Sequence, residues 1–338
     1  MKIRHWLASA VMAAALAVPA ASSVSAEWKP TKPVRIIVPW GAGGSTDQLA
    51  RVLQGELESA LGQKVIVVNQ TGGAGAIGTK AAWEAEKDGY TWAAGAAWDL
   101  GTYVVTGALD AKIQDWHLFL ATANYMILSA HPDSKLSSVE AVKDAMNSDA
   151  SSVTIATAGI NSSGGMAAEL LKAAAGGDYK MVTYDGGNPA VQAAVAHETE
   201  LTTQLVAEQY EMLRAGRLKP LAAFTPEAVD VPEIGTVPSI LDTLPNATTS
   251  YVLFGIWAPK GIPDEVVQTM GKIWDEKIAN SEALKEYANS KAQALKVMWG
   301  DEAAEAGLAS TQIMAWQLHA GGKSTVSPDT VGIPPLKK

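Results

Sequence analysis

The fold of this 338-residue chain is decided by residues 34–47, which read Val34-Arg35-Ile36-Ile37-Val38-Pro39-Trp40-Gly41-Ala42-Gly43-Gly44-Ser45-Thr46-Asp47. The first five residues are apolar except for Arg35, and most are β-branched, which predicts a short buried strand. The glycines predict a turn. Ser45 or Thr46 is suited to cap a helix that the spacing of later leucines extends to about residue 60. This order is the first half of a βαβ unit.

The same order of strand, glycine turn and helix recurs along the chain. A second strand, a second turn and a third strand are predicted at residues 64–68, 72–78 and 90–94. A further series has a strand, a turn and another strand at residues 153–157, 158–165 and 180–184. Alternating strands and helices predict an α/β fold with helices on both faces of a parallel sheet. We therefore expect two lobes, each a mostly parallel sheet flanked by helices.

Two apolar runs, residues 118–128 and 251–258, predict the places where the chain crosses between the lobes. The predicted division follows from them. Residues 27–128 and 251–320 would form the first lobe, residues 129–250 the second lobe, and residues 321–338 a loose C-terminal tail.

The first 26 residues have the pattern of an export signal. Lys2 and Arg4 precede the apolar run 6–17, and Val24-Ser25-Ala26 supplies the small residues that a signal peptidase requires. The apolar run is shorter than the roughly 20 residues of a membrane-spanning helix. We expect cleavage after Ala26 and a periplasmic location.

Composition excludes several classes of function. Without residues 1–26 the chain keeps 24 basic and 35 acidic residues, a formal net charge of −11, which disfavours nucleic acid and anionic membranes as partners. The chain has no cysteine, which excludes disulfides, thiolate metal sites and cysteine nucleophiles. The histidines are widely spaced and no G-x-S-x-G motif is present. We expect no catalytic residue, no metal and no cofactor.

Three loops that follow strands and open helices are the candidate binding elements: residues 41–47, 72–78 and 158–165. In open α/β sheets, ligands bind beyond the carboxyl ends of the strands, where these loops lie. Backbone N–H groups in the first turn of a helix are unpaired and carry a partial positive charge. No lysine or arginine lies in these loops, so a carboxylate is favoured over a phosphate.

Residues 73–78 also match G-x-G-x-x-G, and Asp99 follows about 20 residues later. This pattern alone is a weak dinucleotide fingerprint, and it keeps open the alternative of a secreted nucleotide-dependent enzyme. Trp40 and Trp98 follow strands and are candidates to line a cleft around an apolar or aromatic ligand body. Asp47 is expected to hold its loop in place.

Several motifs in the same order resemble the extracytoplasmic receptors of tripartite tricarboxylate transporters, the Bug or TctC family. The resemblance covers residues 32–320. It rests on residues 34–47, on the loop 72–78, on Asp88-Gly89-Tyr90-Thr91, on Tyr184-Asp185-Gly186-Gly187-Asn188-Pro189-Ala190, and on Ala258-Pro259 with Pro263. It implies a two-lobed flytrap fold, a ligand carboxylate held by the first two loops, and integral-membrane partner subunits that perform the transport. We expect a monomer.

The chain departs from the family pattern in the second-lobe loop, where Asn161 replaces a glycine and Gly165 replaces a histidine. The run Asn69-Gln70-Thr71-Gly72 is also altered. These changes leave open which group the second lobe recognises. The same cleft could also serve a sensor that reports the ligand to a signalling partner. The predicted ligand-binding residues are Trp40, Ala42, Gly43, Gly44, Ser45, Thr46, Ala74, Gly75, Ala76, Trp98, Thr157, Asn161, Ser162, Tyr184 and Asp185.

Overall fold

The computed structural model of the protein describes residues 27–336. The predicted signal peptide, residues 1–26, lies outside the described residues. Within the described part of the chain, no helix combines the length and apolar character needed to cross a bilayer.

Ten α-helices and thirteen strands are described. The helices are α1 Ser45–Leu61, α2 Ala76–Trp83, α3 Asp99–Thr106, α4 Val139–Ser148, α5 Ser163–Ala175, α6 Gly187–Val195, α7 Val206–Arg214, α8 Asp264–Glu276, α9 Glu282–Ser290 and α10 Gly300–Ala320. The strands are β1 Val34–Val38, β2 Val65–Asn69, β3 Thr91–Ala96, β4 Trp116–Asn124, β5 Ile127–Ala130, β6 Thr154–Thr157, β7 Lys180–Thr183, β8 Leu201–Thr202, β9 Lys219–Ala223, β10 Val229–Val231, β11 Gly235–Val237, β12 Val252–Pro259 and β13 Ala294–Trp299.

The first lobe is built on a six-stranded sheet with the order β13-β4-β12-β3-β1-β2. β1 lies between β2 and β3 and runs parallel to both, as expected for strands that helices connect. β12 inserts between β3 and β4 and is antiparallel to both, because it returns from the second lobe without an intervening helix.

The second lobe repeats this plan on a five-stranded sheet with the order β7-β6-β8-β5-β9. β6 is parallel to β7 and β8, whereas β5, which arrives from the first lobe, is antiparallel to its neighbours β8 and β9. The predicted two-lobed α/β fold is confirmed. Each sheet is mixed, because the strand that follows each crossing, β5 or β12, runs antiparallel to its neighbours.

The two crossings lie side by side. β4 ends at Asn124 and β5 begins at Ile127, so the chain leaves the first sheet at residues 125–126. Tyr125, in this crossing, packs edge-on against Tyr251, which precedes β12, with ring centroids 6.3 Å apart. This crossing lies within the apolar run 118–128 that predicted it, although the predicted lobe boundary stands later, after residue 128. The run does not reveal where one buried strand ends and the next begins.

Aromatic packing stabilises the first lobe. Phe119 on β4 lies 5.4 Å from Trp92 and 5.3 Å from Trp274, measured between ring centroids. All three side chains are buried. The Trp274 indole N–H also donates to the Leu120 carbonyl over 2.7 Å, which satisfies its polar atom within the core.

The C-terminal segment is packed, which corrects the prediction of a loose tail for its described residues, up to 336. The Thr325 N–H donates to the Val105 carbonyl over 2.7 Å. The Trp316 indole N–H donates to the Pro334 carbonyl over 2.9 Å. Ile333 is fully buried. These contacts join residues far apart in sequence, so local composition did not reveal them.

This docking predicts that Ile333→Ala lowers the free energy of unfolding by about 2–4 kcal/mol, because it leaves a cavity where a buried side chain was. Urea denaturation of the two proteins measures the difference. Val326→Ala is the matched control, since Val326 lies in the same segment but is exposed. Equal unfolding midpoints for Ile333→Ala and the unsubstituted protein would contradict a packed tail.

Candidate functional site

The first-lobe loop between β1 and α1 is held by Asp47. The Asp47 carboxylate accepts hydrogen bonds from the Gly43 N–H and from Asn69 Nδ2, each over 2.9 Å, and pairs with Arg51 at 2.9 Å. Burial raises the pKa of the Asp47 carboxyl, but Arg51 and these hydrogen bonds hold it below its ordinary value. Asn69 Nδ2 also donates to the Trp40 carbonyl over 3.0 Å. The loop is thus fixed to the first lobe before any ligand binds.

The predicted residues of this loop lie at different depths. Ala42 and Gly43 are exposed at the rim, and Gly43 has the positive φ of 80° that a glycine accommodates. Gly44, Ser45 and Thr46 are buried at the start of α1. The Ser45 N–H, at the start of this turn, points towards the second lobe, where it donates to Glu208.

The second loop lies beside the first. A tight turn at Gly73–Gly75 leads into α2. A Cβ atom at Gly75 would overlap Tyr103 Oη and the Trp40 ring, so the close packing of these two rings requires glycine here. Ala74 reaches the second lobe, where its methyl group lies 3.1 Å from the position of a Cβ at Gly159. Ala76 begins α2 and is buried.

The second-lobe loop between β6 and α5 is closed by its own side chains. Thr157 Oγ1 accepts from the Gly159 N–H over 3.1 Å. Ser162 caps α5, because its hydroxyl accepts from the Gly165 N–H over 3.0 Å and donates to the Gly159 carbonyl over 2.7 Å. A Cβ at Gly165 would overlap the Gly159 carbonyl. This contact explains why the histidine of the family pattern has no room at position 165.

Three other predicted residues do not present their side chains to a cleft. Tyr184 Oη donates to Glu198 over 3.1 Å, and Asp185 is exposed. The Asp185 backbone carbonyl nevertheless meets the first lobe, 2.6 Å from the position of a Cβ at Gly41. Trp98 is fully buried in the first-lobe core.

The loops of the two lobes meet around a small cavity. Free space for the centres of water molecules amounts to about 20 Å³, room for only one or two waters. Of the predicted site residues, Trp40, Thr46 and Ser162 line it. The other lining residues are Ala96, Asp99, Ala158, Ser163, Gly187, Gln204, Leu205, Glu208 and Phe254. The described structure is therefore a closed form.

Glu208, near the start of α7, connects the lobes. Its Oε1 accepts a hydrogen bond from the Ser45 N–H in the first lobe over 3.2 Å. With the Gln204 amide oriented to satisfy both its atoms, its nitrogen donates to Glu208 Oε2 and its oxygen accepts from the Ala158 N–H, each over 3.0 Å. Burial raises the pKa of Glu208 to about 7, although the Ser45 hydrogen bond opposes this effect.

Asp99 is a second carboxylate at the cavity. It lies in the first turn of α3, and only 2% of the residue is exposed. Its Oδ1 has no hydrogen-bond partner among residues 27–336. Burial raises the pKa of Asp99 well above its ordinary value. Asp99 and Glu208 thus face the same cavity from opposite lobes.

Neither carboxylate was predicted as a ligand-binding residue. The sequence marked Asp99 only as part of the dinucleotide alternative, and Glu208 carried no motif. Glu208 becomes a site residue only because Ser45, 163 residues away, reaches it across the cleft. The one local signal available in the sequence is an acidic residue shortly after a run of small residues that follows a predicted strand, and of these two carboxylates only Asp99 has it.

The described residues contain no group of three or more acidic or histidine side chains that could hold a metal ion. The motif at residues 73–78 serves packing between helix and sheet. A Cβ at Gly78 would lie 2.5 Å from the Gln70 carbonyl and 2.8 Å from Pro39. Asp99 is buried, whereas the dinucleotide alternative needs an acidic group open to a ribose. The geometry does not favour a nucleotide site.

The Glu208 carboxyl predicts a pH-dependent stability. Its pKa rises from 4.5 to about 7 on folding, so its contribution to stability is fully present below about pH 4.5 and is lost as the pH rises through about 7. Relative to Glu208→Gln, the unsubstituted protein should lose on the order of 2 kcal/mol of unfolding free energy between about pH 5 and about pH 8. Urea denaturation at both pH values measures this.

Glu305→Gln is the matched control, because Glu305 is exposed on α10. It should keep the pH dependence of the unsubstituted protein. If Glu208→Gln does the same, the assigned protonation of Glu208 is wrong.

Known proteins resemble this chain in sequence and in structure. The sequence model of the family described as a tripartite tricarboxylate transporter family receptor matches residues 49–306. Protein BugT from Bordetella pertussis (strain Tohama I) is 26% identical over 272 residues, which are 79% of this chain and 83% of BugT.

Two solved structures show the same fold. The periplasmic binding protein BugD has a TM-score of 0.78 at 21% identity, over 87% of this chain and 99% of BugD. MatC from Rhodopseudomonas palustris, solved with bound malate, has a TM-score of 0.76 at 21% identity, over 89% of this chain and 99% of MatC. The family match, which covers most of the sequence, shows that the chain belongs to the tripartite tricarboxylate transporter receptor family.

Proposed function

We propose that this protein is a periplasmic receptor that captures a small carboxylate between its lobes and delivers it to integral-membrane transporter subunits. It binds without catalysis, as a monomer, after export and cleavage at Ala26. Family membership supports the receptor role, and the malate bound to MatC supports a carboxylate as ligand.

One observation carries the proposal: the start of α1 already holds a carboxylate. Glu208 Oε1 lies 3.2 Å from the Ser45 N–H, at a helix end where unpaired N–H groups and the helix dipole favour an anion. The same first turn includes Thr46, which lines the cavity. A ligand carboxylate that enters the open cleft therefore has donors with suitable geometry.

The cleft is assembled from both lobes, as a receptor that closes over its ligand requires. We assign the first lobe to residues 27–124 and 252–336, the second to residues 127–250, and the binding elements to the loops 41–47, 72–78 and 158–165. Trp40, Thr46 and Ser162 contact the ligand through their side chains. The remaining predicted residues contribute backbone groups or shape the loops.

Gly44→Val tests the assignment of the first loop. A Cβ at Gly44 would lie 3.4 Å from Glu208 Oε1, so the branches of valine would enter the space between the lobes. Gly44 has a φ of −73°, which valine adopts without strain, so folding should be preserved. We expect affinity for a carboxylate ligand to fall about 100-fold or more, measured by intrinsic tryptophan fluorescence against a panel of mono-, di- and tricarboxylates.

Gly55→Val is the matched control. Gly55 lies on the exposed side of the same helix, and a Cβ there would meet no atom within 4 Å. This variant should bind like the unsubstituted protein. Unimpaired binding by a folded Gly44→Val protein would refute the role of the loop, and failure of every carboxylate to bind the unsubstituted protein would refute the proposed function.

A further inference from the structure

The ionisable side chains that line the cavity are all acidic. Asp99 from the first lobe and Glu208 from the second line it, whereas no lysine, arginine or histidine from the described part of the chain does. Buried carboxylates are normally paired with a cation or fully hydrogen-bonded, because their transfer from water is costly. Among the residues that line this cavity, no positively charged side chain is present to pair with Asp99 or Glu208.

The hydrogen bonding of the two carboxylates is incomplete. Glu208 receives donors from Ser45 and Gln204, which leaves further lone pairs on its oxygens. Asp99 Oδ1 is buried and no described residue donates to it within hydrogen-bond distance, although the Ala96 N–H and the Trp40 and Trp98 side chains lie near the carboxyl and oppose the rise of its pKa on burial. An N–H donor on a bound molecule would supply the missing partner.

The remaining walls suit a cation as well. Trp40 and Phe254 line the same cavity, and aromatic faces attract ammonium groups, including methylated ones. A metal ion is a poorer candidate, since the described residues offer no cluster of three acidic or histidine ligands. The surroundings therefore favour an organic cation.

We propose that the ligand carries a cationic nitrogen, an ammonium or methylated ammonium, which binds between the carboxylates of Asp99 and Glu208. The inference rests on the proposed function, because a ligand that also carries the expected carboxylate is then a zwitterionic amino acid. Its carboxylate binds at the first turns of α1 and α5, which reach the cavity at Thr46 and Ser163.

The same arrangement explains how such a ligand drives closure. Without a cation, closure removes both carboxyl groups from water, which disfavours their ionised forms and raises the pKa of Asp99 and of Glu208. A cation between them stabilises the closed form and has no equivalent role in the open form, so it shifts the population towards closure.

Matched ligands test the inference on the full mature protein. Propionate, β-alanine and propylamine share a three-carbon chain. Propionate carries only a carboxylate, propylamine carries only an amine, and β-alanine carries both. Succinate with aspartate, and glutarate with glutamate, extend the comparison to diacids. Calorimetric titration should show the amino acid of at least one series binding about tenfold or more tightly than its amine-free acid, as expected for a hydrogen bond between charged groups.

Asp99→Asn and Glu208→Gln keep side-chain shape and remove one negative charge each. Each substitution should reduce the preference for the amino acid over its amine-free acid about tenfold. Thermal unfolding without ligand verifies that they fold. The matched controls are Asp110→Asn and Glu305→Gln, at exposed positions, which should keep the preference.

The possible outcomes separate the inference from the proposed function. Binding of the amine-free acids as tightly as, or more tightly than, their amino counterparts overturns the inference and leaves the carboxylate receptor standing. A preference that survives in both Asp99→Asn and Glu208→Gln also overturns it. Binding of propylamine but of no acid supports the cation site and overturns the proposed function. No binding in any series counts against both.

Discussion

The contact between the Glu208 carboxylate and the Ser45 N–H is the interaction on which the closed form depends. It joins the lobes at a point where the Glu208 carboxyl is removed from water, which raises its pKa to about 7. The ionised form of such a group is tolerated only when dipoles or donors surround it. The first turn of α1 supplies both, and Gln204 supplies a further donor. At this point the lobes therefore meet through polar groups that a ligand can replace, whereas elsewhere a continuous cluster of buried apolar residues, which includes Val38 of the first lobe and Ile155 of the second, joins them.

The loops around this contact are fixed to their own lobes. Asp47, Arg51 and Asn69 hold the first-lobe loop, and the Ser162 hydroxyl closes the second-lobe loop on itself. Groups fixed in this way keep their geometry when the lobes separate. Movement is left to the crossings, where Tyr125 and Tyr251 pack against each other. Opening thus changes contacts between lobes and leaves the binding groups of each lobe in position.

The sequence was sufficient for the features that local patterns determine. The apolar run and glycine turn at residues 34–47 predicted β1, its loop and α1, and the repeat of this order predicted two α/β lobes. The sequence did not reveal contacts between residues that are far apart along the chain. Ile333 is buried against the first lobe, and Glu208 meets a residue 163 positions away. Charge burial is a property of the assembled cleft, so no spacing rule could assign a role to Asp99 or Glu208.

The two internal carboxylates also determine which ligands the cleft can favour. The helix ends at Thr46 and Ser163 attract an anion, but Glu208 already occupies one N–H of α1. A dicarboxylate competes with that side chain for the N–H group and brings two negative charges into a cavity where burial already raises the pKa of both acidic side chains. A zwitterion adds no net charge, satisfies the helix ends with its acid group and gives Asp99 the donor that it lacks. Discrimination then follows from like-charge repulsion and desolvation, and the receptor selects against acids that its fold would otherwise accept.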